Sequence, residues 1–166
     1  IMNNKPFFIN ILDSYSFIFI FDFIKLLKKY KHRLFDDGNS FNDIKSLYNF
    51  ILSLNGFLWF IIDPVKFKLA GFIFLDGWWA NGYGVDITAC FNKYYFGQFV
   101  RETGKMFIPY VFKTYDIKKL SAQVYSTNIV SSRILYDLGF KYEGTLEKHT
   151  VVNNNPVDIL FFSIVS

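Results

Sequence analysis

Cysteine is almost missing from this chain: Cys90 stands alone among 166 residues, so no internal disulfide braces the fold. The two histidines, His32 and His149, are far apart, and neither belongs to a Cys/His cluster with metal-ligand spacing, so no metal site is expected. Prolines number four, and no Pro-, Gly- or Ser-rich tract forms a linker. Without linker or internal repeat, one domain over residues 1–166 is expected. Charge is sparse at 19%, with a net +4 and a pI near 9.0. The densest basic run, Lys25, Lys28, Lys29, Lys31 and Arg33, closes a predicted helix, where cations meet the negative end of the helix dipole. It is not the concentrated patch of a nucleic-acid binder. A long uncharged apolar run is lacking too. The segment 7–27 comes nearest, but Asp13, Asp22 and Lys25 interrupt it, and an ionised Asp near a bilayer centre costs about 3 kcal/mol. No signal-peptide pattern is present either. These absences point to a reducing, cytoplasmic setting without membrane or nucleic-acid partners.

What is abundant is apolar. The chain is 52% hydrophobic and 22% aromatic, with 22 Phe and 11 Tyr. That supplies a packed core and leaves a surplus of aromatics for a ligand, a homo-oligomer or an assembly partner. Periodicity predicts a strand over 7–12, a helix capped by Asp13-Ser14 to about Tyr30, and a polar loop around Asp36-Asp37-Gly38-Asn39. A second helix is capped by Asn42-Asp43 and ended by Asn55-Gly56. Strands over 57–62, 68–75 and 84–91 follow. The last two are joined by a connection from Asp76 to Gly82, from which Trp78 and Trp79 should both project, at least partly exposed. Then come a helix over about 96–115, a strand over 119–126, a helix over 129–138, and strands over 141–151 and 157–165. The strand–helix–strand step over 84–126 should make a right-handed parallel crossover. The class is α/β, with a mixed sheet and helices on its faces.

In the second half, Asn128 ends a strand and Ser131 falls in the first turn of the next helix. Gly139-Phe140 closes that helix, Glu143-Gly144 follows, and Asp158 precedes an apolar run to Ser163. Each residue has a local reason. Gly139 suits the left-handed residue that ends a helix, Phe140 then drops into the core, and Asn128 is either a helix cap or a ligand contact. In register, these residues resemble the GNAT superfamily of N-acetyltransferases, most closely the ribosomal-protein N-terminal acetyltransferases and related bacteriophage proteins. The resemblance covers nearly the whole element order, with specific motifs from about residue 84 onward. It implies a GNAT-like, mostly antiparallel central sheet flanked by helices on both faces, with acetyl-CoA as cosubstrate. It also implies direct transfer of the acetyl group to a primary amine, on a protein N-terminus or a small molecule.

The resemblance implies site residues as well. Pantetheine would follow the backbone of Ile87, Thr88, Ala89, Cys90 and Phe91. Pyrophosphate would rest on the backbone around Tyr95, Phe96, Gly97, Gln98 and Phe99, where a helix start offers unpaired N–H donors. Asn128 and Ser131 would lie beside the cofactor. The family's loop, Arg/Gln-x-x-Gly-x-Gly/Ala, is reduced here to Gly97, with Tyr94 and Phe99 at its flanking positions. A rival register over Arg101 to Gly104 fits the motif better but leaves the helix too short. Many members carry a Tyr that protonates the leaving thiolate; Leu135 stands there, and Tyr136 lies about 100° around the helix, as a packing residue. Asp86 shares a strand face with Thr88 and Cys90 and is the candidate general base, a solvated strand-end carboxylate being the plain alternative. Cys90 itself reads as a small buried hydrophobe. A second function stays open beside the enzyme: a catalytically degenerate GNAT-fold structural or assembly protein, such as a bacteriophage virion component within the phage particle.

Overall fold

The computed structural model describes residues 5–34 and 43–166, apart from the side chains of His32 and Arg33. The polar loop expected at 36–39 and Asn42 lie outside the described residues. Strand β1 (Phe7–Asn10) is shorter than expected because the chain folds back at once. Asn10 N–H donates to Asp13 Oδ2 and Leu12 N–H to Asn10 Oδ1, both at 2.9 Å. A 3-10 turn over Ser16–Phe19 then precedes α1 (Ile20–Leu34), so this helix starts later than Asp13-Ser14. Helix α2 (Ile44–Ser53) begins at the expected cap, where Ser46 N–H donates to Asp43 Oδ1 at 2.7 Å in a capping box.

The remaining elements are β2 (Leu58–Asp63), β3 (Lys68–Trp79), β4 (Gly84–Phe91), α3 (Gln98–Tyr115), β5 (Lys119–Tyr125), α4 (Ile129–Asp137), β6 (Lys141–Val152) and β7 (Asn155–Val165). β3 departs from the sequence reading by running on through Trp79. Adjacent strand residues point to opposite faces, so Trp78 and Trp79 diverge instead of projecting together from a turn; they are 40% and 37% exposed. The strands form one seven-stranded sheet in the order β1-β2-β3-β4-β5-β7-β6, flanked by helices. The pairs β1–β2, β2–β3, β5–β7 and β6–β7 are antiparallel and β4–β5 is parallel, as the 84–126 step predicted.

The chain divides into two compact units, residues 1–76 with 88–103, and 77–87 with 104–166. In the first, two-residue alternation places Leu58, Phe60 and Ile62 of β2 and Phe72 and Phe74 of β3 in one apolar cluster. Phe23, Leu26 and Leu27 of α1, Leu47 of α2, and Phe19, Leu54, Leu69 and Cys90 belong to the same cluster. Phe23 is its pivot, with ring centroids 5.0 Å from both Phe60 and Phe72. In the second, Leu120, Ala122 and Val124 of β5 are buried, and Phe162 of β7 receives Tyr136 of α4 edge-on at 5.2 Å. That contact gives Tyr136 the packing role the helix phase predicted.

Candidate active site

β4 pairs with β5 through Gly84, Val85 and Asp86. Beyond them Ile87 and Thr88 are half-buried and Ala89 is exposed, although β4 is the fourth of seven strands. Cys90 and Phe91 are buried again, Cys90 within the apolar cluster, which agrees with its reading as a small hydrophobe. The chain then makes a 3-10 turn over Lys93–Tyr95 and reaches Gly97 at φ 99°, a left-handed conformation that favours glycine. A Cβ there would approach only Arg101 Nη1, at 3.9 Å, so the space before α3 is open and a guanidinium borders it. The α3 ladder starts with Arg101 N–H donating to Gly97 carbonyl at 3.3 Å. Helix geometry leaves the N–H groups of Gln98, Phe99 and Val100 without an acceptor inside the helix.

The loop is pinned by a pair the sequence reading did not connect. Tyr95 Oη donates to Asp63 Oδ2 at 2.9 Å, and Asp63 Oδ1 accepts from the N–H of Val65 and Lys66 at 2.9 and 3.3 Å. Burial pushes the Asp63 carboxyl upward, but these hydrogen bonds, led by Tyr95, outweigh it and hold it below its ordinary value. Burial and the same bond push the Tyr95 hydroxyl up to about 12, so it stays protonated. Its ring packs 4.9 Å from Phe99 and lies 5.6 Å from Lys66 Nζ. Tyr95 has its hydroxyl engaged and its N–H donating to the Asn92 carbonyl at 2.9 Å, and the Gln98 amide donates to Glu102 Oε1 at 2.8 Å, which leaves the Gln98 backbone N–H to face a ligand. Tyr94 and Phe96 are exposed.

Among residues of the second unit, Asp86 is half-buried. Burial raises its carboxyl above the ordinary value, and a hydrogen bond with Gln123 opposes the rise. Asn128 caps α4, its Oδ1 accepting from Ser131 N–H at 3.2 Å, which is the cap alternative realised. Leu135, where the resemblance puts the family Tyr, is half-buried. Glu143 and Asp158 do structural work. Glu143 stands at a register shift in β6, where its Oε1 accepts from Lys119 Nζ at 2.6 Å and Ser163 Oγ at 2.5 Å. Asp158 Oδ1 accepts from Lys148 N–H at 2.7 Å at the second shift, where Lys148 takes φ 48°. Among the described residues, no group of three potential metal ligands gathers, and no helix is long and apolar enough to cross a membrane.

This mixed, mostly antiparallel seven-stranded sheet flanked by helices is a fold shared with solved N-acetyltransferases. The ribosomal-protein-S5-alanine acetyltransferase from Vibrio fischeri superposes with a TM-score of 0.77 over 97% of this chain and 93% of its own, at 16% identity. Spermidine N-acetyltransferase from Vibrio cholerae, solved with CoA and spermine, gives 0.77 over 98% and 96%, at 18% identity. By sequence, 67 residues are 31% identical to the uncharacterised N-acetyltransferase YoaA of Bacillus subtilis (strain 168), a match spanning 40% of this chain and 38% of that protein. No protein-family model matches. The structural likenesses show the fold, and with the sequence match they support the GNAT superfamily.

Proposed function

We propose that this chain, acting as one domain, is an N-acetyltransferase that moves the acetyl group of acetyl-CoA directly to a primary amine. The observation that carries the reading is the exposed stretch of β4 at Ala89 leading into the Gly97-opened start of α3. Half-buried Ile87 and Thr88 and exposed Ala89 present backbone groups a pantetheine arm can bond, on a path running from Ile87 to Phe91. The N–H groups from Gly97 to Phe99, at the positive end of the α3 dipole, suit a pyrophosphate. Arg101 adds the positive charge that the altered loop motif lacks. Asn128 and Ser131 lie at the start of α4 and stay candidate cofactor contacts.

Transfer requires a neutral amine. Asp86 accepts the proton from the substrate ammonium, directly or through water; its raised affinity for a proton brings it closer to the ammonium's. The amine nitrogen then attacks the thioester carbonyl, the C–N bond forms as the C–S bond breaks, the nitrogen gives up its second proton to solvent, and the leaving thiolate takes one from solvent. No covalent intermediate on Cys90 is needed. Fold neighbours that act on a ribosomal protein and on spermidine support acetyl transfer to an amine in general.

Acetyl-CoA titrated into the protein should raise its melting temperature saturably, by the equivalent of about 2.7 kcal/mol at a hundredfold excess over Kd. Gly97→Trp, which cannot keep φ 99° without strain, should abolish that shift. No stabilisation at millimolar acetyl-CoA would reject the enzyme and favour the degenerate, assembly role.

A further inference from the structure

Exposed aromatic side chains gather on one surface of the first unit. Between Tyr15 and Phe21 the chain leaves large apolar residues in solvent: Tyr15 is 69% exposed, Phe17 70%, Ile18 48% and Phe21 74%. Phe7 of β1 and Phe67 join Tyr15 and Ile18 around a groove of about 450 Å³, with Ile9 and Phe19 completing its apolar wall. Phe67 reaches that wall at φ 49°, a left-handed conformation that strains a bulky residue, and its ring lies 5.5 Å from that of Phe19. At about 200 Å² for a large side chain, Phe7, Tyr15, Phe17, Ile18, Phe21 and Phe67 leave roughly 700 Å² of apolar surface to water. A monomer seldom shows a patch above about 600 Å². Each partner in an ordinary stable interface contributes about 800 Å².

The charges around the patch say which partner fits it. Exposed Asp13 lines the groove at the amino-terminal end of the segment. At the other end α1 continues the outward face of Phe21 through Lys25 and Lys28, with Lys29 beside them, all exposed. Lys25 Nζ is turned to Asp22 at 3.9 Å, which leaves Lys28 and Lys29 to face an acid. The segment thus carries a carboxylate, then aromatics, then lysines. A second copy laid antiparallel presents the reverse order, so each charged end meets its opposite. The surface also holds both the projecting rings of Phe17 and Phe21 and a groove to receive them, which a flat bilayer would leave unfilled. Strand addition is closed off here. The N–H and C=O of Asn10 are both bonded to Asp13 at 2.9 Å, and Pro6 has no N–H to offer. A partner therefore meets side chains, not the edge of β1.

We propose that this surface is a two-fold interface between two copies of the chain. Phe17 and Phe21 of each copy enter the groove of the other, and Asp13 of each faces Lys28 and Lys29 of the other. The desolvated aromatics supply the affinity, and the charged ends set the antiparallel orientation. All of these residues belong to the first unit and none has a part in acetyl transfer, so the proposal goes beyond the reading of the active site and stands apart from it.

Sedimentation velocity of the wild-type chain tests it. At about 50 μM the protein should sediment as a dimer, at twice the chain mass of 19.6 kDa, since interfaces of this size hold at micromolar concentrations or below. Phe17→Ser with Phe21→Ser should raise the dimer Kd at least about a hundredfold. Its far-UV circular dichroism should stay that of wild type, because both rings are exposed within one copy. Phe67→Gly, which suits φ 49°, should raise Kd about tenfold while the chain stays folded, and so guards against a misfolded Phe pair. Lys28→Glu with Lys29→Glu should also raise Kd about tenfold, and adding Asp13→Lys should recover most of the loss. A monomeric wild type overturns the proposal; if that monomer also binds phosphatidylserine vesicles, the patch belongs to a lipid surface instead. A dimer that neither the Phe pair nor Phe67→Gly weakens forms elsewhere on the chain and overturns it as well.

Discussion

Tyr95→Phe removes a single hydroxyl, and the consequence can be worked from the geometry. Asp63 is 7% exposed and accepts three hydrogen bonds, from Tyr95 Oη and from two backbone N–H groups. The variant leaves it the two backbone donors. A hydrogen bond to a charged group contributes about 1.5–3 kcal/mol, so a loss near 2 kcal/mol is expected. For a chain of this length that lowers Tm by about 4–8 °C. The loss should depend on pH. Asp63 is held below its ordinary value in the folded state, so its contribution is present above the unfolded carboxylate range and disappears as pH falls through the folded value. The gap between wild type and variant should accordingly be full at pH 7 and narrow in acid. Urea unfolding of wild type, Asp63→Asn, Tyr95→Phe and the double variant gives the coupling, which should exceed about 1 kcal/mol. Acetyl-CoA affinity should fall with it, since the same bond pins the loop before α3. A coupling below 0.5 kcal/mol, or a gap that does not change with pH, would refute the reasoning.

Three further perturbations are informative. Asp86→Asn should lower turnover by about a hundredfold or more, and wild-type activity should climb with pH through the raised carboxyl value; because the folded state favours the protonated acid, the variant should be at least as stable as wild type at neutral pH. Leu135→Tyr should raise the acetyl-transfer rate by restoring a proton donor for the thiolate, whereas Tyr136→Phe, whose ring packs on Phe162, should leave the rate nearly unchanged. Arg101→Ala should weaken acetyl-CoA binding about tenfold and flatten its salt dependence, read by thermal shift at two ionic strengths.

Local order carried much of the fold in the sequence. The glycine and polar boundaries of β4 placed it residue for residue, and Asp43 and Gly139 marked helix ends because a cap or a left-handed residue is a local requirement. β3 was read too short because Asp76-Gly77 looks like a turn, yet Gly77 takes φ 60° inside a continuing strand. The late start of α1 was hidden because Asp13, which resembles a helix cap, bonds backwards to Asn10 instead of forwards. The ties that matter most around the candidate site were not legible: Tyr95 and Asp63 are 32 residues apart, and Lys119 and Glu143 are 24 apart. Neither spacing is periodic, so only the folded chain brings the partners together. Arg101 stands in the rival register of the loop motif, and its place beside Gly97 follows from one turn of helix.

The start of α3 offers main-chain donors, and its peculiarity is one glycine's conformation rather than a set of functional side chains. A site of that kind leaves almost no alphabet behind. Tyr94 and Phe96 are exposed while Gly97 holds the backbone angle, so a diphosphate proposed to rest there would call for one glycine and for no particular side chain at either neighbour. Glu143 and Asp158, which stay recognisable, are read by the strands they fasten. The residues that make the chain recognisable and the backbone proposed to hold the cofactor thus lie in different parts of this molecule.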